Sequence, residues 1–87
     1  MCRNIRRLHN YVPPVTEEEI RDAALQFVRK VGGFTRPSRV NAACFDEAVA
    51  EIATVTRRLL DRLETSASPR SREEDVRRAR ERRAARG

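Results

Sequence analysis

Apolar side chains recur along most of this chain at helical spacing, and that spacing predicts an all-α fold. Residues 2–12 place Cys2, Ile5, Leu8 and Val12 three or four apart, the mark of a short amphipathic helix. Pro13-Pro14 ends it, because neither proline offers an amide and each pushes its predecessor out of the α region. The next start is sharply written. Thr16 is a good N-cap and Glu19, three residues on, completes a capping box. Val15 and Ile20 form the accompanying hydrophobic staple, and Glu17, Glu18 and Glu19 suit the positive end of a helix dipole. The apolar face continues through Ala24, Phe27 and Val31, and Gly32-Gly33 supplies the C-cap.

After a loop closed by Pro37, Ser38 is expected to cap a second helix running to about Glu64. Its face reads Phe45, Val49, Ile52, Thr56, Leu59, Leu63, a sustained alternation of four and three. Two helices joined by a six-residue loop pack antiparallel, so the predicted architecture is an antiparallel helical hairpin. The second helix is the longer, and Leu59, Leu60 and Leu63 should overhang. The short N-terminal helical segment, through Ile5 and Leu8, is expected to cover them. Residues 65–69 read as a linker. Ser71 with Glu74 opens a basic C-terminal tail helix whose only sizeable apolar residue is Val76, so it has nothing to bury. The expected organisation is one small helical domain over residues 1–68 and an Arg-rich solvated tail over 69–87.

Composition narrows the picture. With 87 residues and only Tyr11, Phe27, Phe34 and Phe45 as aromatics, the core must be aliphatic and small. No apolar run approaches a membrane span, and none follows Arg3, Arg6 and Arg7 as in a signal peptide, so a cytoplasmic location is expected. Two cysteines, Cys2 and Cys44, are too few for a disulfide scaffold, and Cys2, His9 and Cys44 are too scattered for a metal site. No metal and no cofactor is expected. The net charge of +6 is uneven. Residues 1–15 carry +3, residues 16–69 carry −1 and residues 70–87 carry +4. Lys30 is the only lysine.

Several stretches carry a family likeness. Met1-Cys2-Arg3-Asn4-Ile5, Pro13-Pro14 and Ala24-Leu25-Gln26-Phe27-Val28-Arg29-Lys30 resemble the bacterial family called domain of unknown function 2277, as do Gly33-Phe34-Thr35, Pro37-Ser38, Asn41 and Pro69-Arg70. The resemblance covers about residues 1–70. It implies a small bacterial cytosolic protein and no particular activity. His9, Gly32 and Cys44 depart from the family pattern, which weakens any shared chemistry at His9 or Cys44.

Three candidate sites emerge. The first is the loop end of the hairpin, where no acid lies between Asp22 and Asp46. Arg29, Lys30, Gly32, Gly33, Arg36, Ser38 and Arg39 together offer guanidinium groups, flexible backbone amides and a helix start, the makings of an anion site. The bland alternative is a solvated loop whose Arg29 and Lys30 serve a helix C-terminus. The second is Cys2 as a reactive thiol beside Arg3, against a small packed residue. Cys44, next to Phe45, should be the more sheltered thiol. The third is the tail, which carries no aromatic for base stacking and is interleaved with acids.

No nucleophile–base–orienter set and no carboxylate pair composes an active site, so the chain does not read as an enzyme. The leading expectation is a small binding module for an anionic partner, phosphate or nucleic-acid backbone, using its basic loop end and termini. The alternative is a protein–protein or homodimer module using the apolar face of the second helix. A thiol-dependent enzyme using Cys2 comes third. A membrane partner is not expected.

Overall fold

The computed structural model describes residues 5–86, and the chain is all-α with a helical hairpin at its centre. Helix α1 spans Glu17–Gly32 and helix α2 spans Ala42–Arg62. Helix α3 spans Arg72–Arg86. Two short strands, β1 (Tyr11–Val12) and β2 (Arg70–Ser71), pair in parallel, with Tyr11 opposite Arg70 and Val12 opposite Ser71.

Helix α1 begins where its local chemistry dictates. The Thr16 hydroxyl accepts the Glu19 amide at 3.1 Å, and Glu19 Oε1 accepts the Thr16 amide at 2.8 Å. It ends at Gly33, whose φ of 82° is open to glycine at no steric cost and whose amide donates to the Arg29 carbonyl at 2.9 Å. Gly32 has a packing reason of its own, since a Cβ there would meet the Phe34 ring at 3.0 Å.

Helix α2 starts later than expected. Residues Arg39–Asn41 form a 3-10 turn, and the α-helix begins at Ala42. Ser38 makes no side-chain cap; its hydroxyl instead accepts the Asn41 side-chain amide at 3.1 Å. The turn closes with the Asn41 backbone amide donating to the Ser38 carbonyl at 3.0 Å.

The core sits between α1 and α2. Ala24, Phe45 and Val49 are buried together, with Leu25, Val28, Ile52 and Ala53 packed around them, and Ile20 is 1% exposed. Phe27 lies on the stripe of Ile20 and Ala24 yet is 46% exposed, outside the cluster of Ala24, Phe45 and Val49. The same holds at the opposite end. Leu60 is half-buried and shares a small cleft with Leu8 and Val15, but Leu59 and Leu63 stay exposed. Among the described residues, the N-terminal segment therefore covers only one side of the overhang.

From residue 5, where its description begins, that segment is not a helix, and residues 2–4 of the expected helix lie outside the described residues. Residues 5–10 are irregular and lead into β1. A stretch this short is marginal as an isolated helix. Val12 must be extended before Pro13. Asn10, at φ 63°, turns the chain so that its carbonyl accepts the Arg70 amide at 2.9 Å. The backbone groups thus find partners in β2. The three-to-four spacing from Cys2 to Val12 predicted helix because periodicity cannot sense a partner strand some sixty residues away.

Candidate anion-binding cleft

Helix α3 buries no residue, and most of it lies in solvent. Its first turn is nonetheless fastened to the rest of the chain by polar contacts. Arg72 Nε donates to the Pro13 carbonyl at 2.8 Å, and Nη2 donates to the Pro14 carbonyl at 3.2 Å. The same guanidinium grips both carboxylate oxygens of Glu19, with Nη2 to Oε1 at 2.7 Å. Such a fork-to-fork pair is the strong form of the arginine–carboxylate contact. Arg72 and the Thr16 amide together hold the Glu19 carboxyl down at about 2. Helix α3 itself opens on Ser71, whose hydroxyl accepts the Glu74 amide at 3.2 Å.

A second fastening lies alongside. The Tyr11 hydroxyl donates to Asp75 Oδ2 at 2.6 Å, and Arg70 Nη2 reaches Asp75 Oδ1 at 2.9 Å. The Tyr11 hydrogen bond, then the charge of Arg70, keeps the Asp75 carboxyl below its ordinary range; the same bond raises the Tyr11 phenol. The guanidinium carbons of Arg7 and Arg70 lie 5.7 and 5.8 Å from the Tyr11 ring centre, within cation–π reach. The Asn10 side-chain amide bridges to the carbonyls of Ala67 and Ser68 at 3.3 and 3.2 Å.

These fastenings bring the two basic ends of the sequence to one place. A cleft of about 400 Å³ runs between the N-terminal segment and α3, and Arg6, Arg7, Arg70, Arg78 and Arg82 line it around Tyr11. Among the described residues Asp75 is the one acid in that lining, and both its oxygens are already engaged. Arg78 also pairs with Glu74 at 3.5 Å, whereas Arg6 and Arg82 form no ion pair among the described residues.

The loop end is arranged differently. Arg29 Nε donates to the Thr35 carbonyl at 3.0 Å and so closes the loop. Gly33 spends its amide on the helix cap, and Gly32 makes room for Phe34. Lys30, Arg36, Ser38 and Arg39 are exposed, and Arg39 stands in the 3-10 turn rather than in the first turn of α2. Arg36 and Arg39 form no ion pair among the described residues.

A family model described as "Uncharacterized conserved protein (DUF2277)" matches residues 1–78. The chain belongs to the DUF2277 family. No curated protein and no solved structure matches it. The DUF2277 match takes in Asn10, Tyr11, Glu19, Arg72, Asp75 and Arg78, and stops short of Arg82.

Two thiol expectations meet this DUF2277 structure unequally. Cys2 lies outside the described residues. Cys44 is exposed, not sheltered, and its thiol sits 3.3 Å from the Asn41 carbonyl. It is next to Phe45 in sequence, but one residue turns a helix by about 100°, enough to carry it off the buried face. Among the described residues no three His, Cys, Asp or Glu side chains gather to hold a metal ion, and no helix is long and apolar enough to cross a membrane.

The residues that fasten the DUF2277 termini carry little signal in the sequence. Asn10, Tyr11, Arg72 and Asp75 are common polar types with no motif spacing. One signal is present. Ser71 with Glu74 marks a helix start, and a capped start directly after a short extended stretch is where a docked segment would begin.

Proposed function

We propose that the chain is a small non-enzymatic module that binds an anionic partner, phosphate or nucleic-acid backbone, in the cleft between its N-terminal segment and α3. One observation carries this reading. Among the described residues, five arginines line one cleft whose single carboxylate is already satisfied, so their remaining donors face no competing acid in that lining. Guanidinium groups in this arrangement suit phosphate oxygens, and two of them lie within cation–π reach of the Tyr11 ring.

The test is a titration of the chain with a short duplex and with a single strand over a range of salt. Neutralising one phosphate-binding arginine should flatten the logarithmic salt slope by about 0.9 for duplex or about 0.7 for single strand. Arg6→Gln, Arg78→Gln and Arg82→Gln should each do so. Arg36→Gln with Arg39→Gln is the control at the loop end. Binding abolished in that control and kept in the cleft variants would move the site to the loop, and no binding at low salt would remove the reading altogether.

A second reading is an interaction module built on α2. The exposure of Val55, Leu59 and Leu63 along that helix favours it.

A further inference from the structure

Helix α2 carries a stripe that is neither core nor ordinary solvated surface. Glu47, Glu51, Val55, Arg58 and Arg62 follow one another at steps of four, four, three and four, so they share one face. All five are exposed. The face lies nearly opposite the one on which Phe45, Val49 and Ala53 meet α1. Along it the charge is segregated, with two acids before Val55 and two bases after.

This order is unfavourable within one helix. Glu47 with Glu51, and Arg58 with Arg62, are like-charge pairs four residues apart, which repel. None of the four makes an ion pair among the described residues, although Arg57 beside them pairs with Glu17 at 3.1 Å and with Asp61. The helix dipole does not account for the arrangement. The first turn of α2 holds no acid, and Arg62 is the only base in its last turn.

We propose that two copies of this chain pair antiparallel along α2, about a two-fold axis between Thr54 and Val55. The register follows from the residue numbers. Glu47 and Arg62 have the same midpoint as Glu51 and Arg58, so a single axis brings both pairs into apposition at once. Symmetry doubles them, giving Glu47 to Arg62 and Glu51 to Arg58 in each direction. The Val55 side chains, each 56% exposed in the single chain, meet beside the axis, and Leu59, 54% exposed, flanks them. Each repelling pair then lies against two charges of opposite sign. The occupant is a second copy rather than an unrelated partner because the stripe is complementary to its own reverse. This surface is separate from the arginine cleft and does not depend on it.

The experiment is sedimentation equilibrium on the full chain without nucleic acid, at low and high salt. A monomer–dimer equilibrium is expected, weakening as salt rises. Glu51→Arg places arginines against arginines on both sides of the axis and should raise the dimer Kd by about tenfold or more. Arg58→Glu should do the same. The double exchange, Glu51→Arg with Arg58→Glu, restores complementarity and should recover the dimer. Far-ultraviolet circular dichroism checks that each variant keeps its helices. A chain that stays monomeric at every concentration overturns the proposal. So does a dimer indifferent to the single reversals, or one that the double exchange fails to restore.

Discussion

Arg72 holds Glu19 across fifty-three residues of sequence, gripping both oxygens of a carboxylate that also completes the capping box of α1. One side chain therefore serves two ends of the molecule. It sets the start of α1 and anchors the start of α3.

Acid should loosen this arrangement in a defined window. The Glu19 carboxyl sits at about 2 in the folded chain against 4.5 ordinarily, so the folded state holds it ionised more strongly than the unfolded state does. Its stabilising contribution is complete above pH 4.5 and is lost as the pH falls towards 2. Thermal melts across that window should show a declining Tm, and Glu19→Gln should flatten the decline. A Glu19→Gln curve parallel to that of the parent would show that other carboxylates govern acid unfolding.

Truncation separates the fastened part of α3 from the free part. Ending the chain after Pro69 removes the partners of Glu19, Pro13, Pro14 and Tyr11, so the Tm should fall. Ending it after Ala79 keeps Arg72 and Asp75 and should leave the Tm close to that of the full chain. Equal melting of both truncations and the full chain would mean that the polar fastenings add nothing net. The apolar content of the tail points to no effect from either cut, because Val76 has no core to enter; the contacts that fasten it are those of Arg72 with Glu19 and of Asp75 with Tyr11.

Core and stripe residues should respond differently to shortening. Ile20→Ala should cost about 2–5 kcal/mol, the range for emptying a filled aliphatic site. Phe27→Ala should cost clearly less, since Phe27 already shows nearly half its surface to water. Urea denaturation of the two variants decides. A larger loss at Phe27 would place it inside an assembly rather than on a free surface.

Gly33 is a test of backbone alone. Gly33→Ala should cost about 1–2 kcal/mol, because φ of 82° forces a Cβ against the following carbonyl, although open space surrounds the position. Gly33→Asn should cost less, as asparagine tolerates the left-handed region. Denaturant midpoints of the two variants check the order.

What could be read from the sequence was what is local. Thr16 and Glu19 lie three apart, and their capping box is there as spaced. The stripe of Phe45 and Val49 faces α1 as its period requires. Period alone does not say where a stripe runs out of cover, which is why Phe27 and Leu59 read as core and are exposed. The gathering of Arg6, Arg7, Arg70, Arg78 and Arg82 in one cleft was beyond reach for a different reason. It depends on Asn10 turning the chain and on Tyr11 meeting Asp75 sixty-four residues later, and neither contact has a pattern in the primary structure.

The parallel pairing of β1 with β2 also orders the events of folding. The two helices of the hairpin are joined by a short loop and can find each other early, whereas pairing Tyr11 with Arg70 means closing most of the chain into a ring. The ring is expected to close last and to open first. In native-state hydrogen exchange, the Arg70 amide, bonded to the Asn10 carbonyl, should lose its protection well before the amides around Val49. Each such opening would carry Arg70 and α3 away from Arg7, so the cleft exists only while the ring is shut.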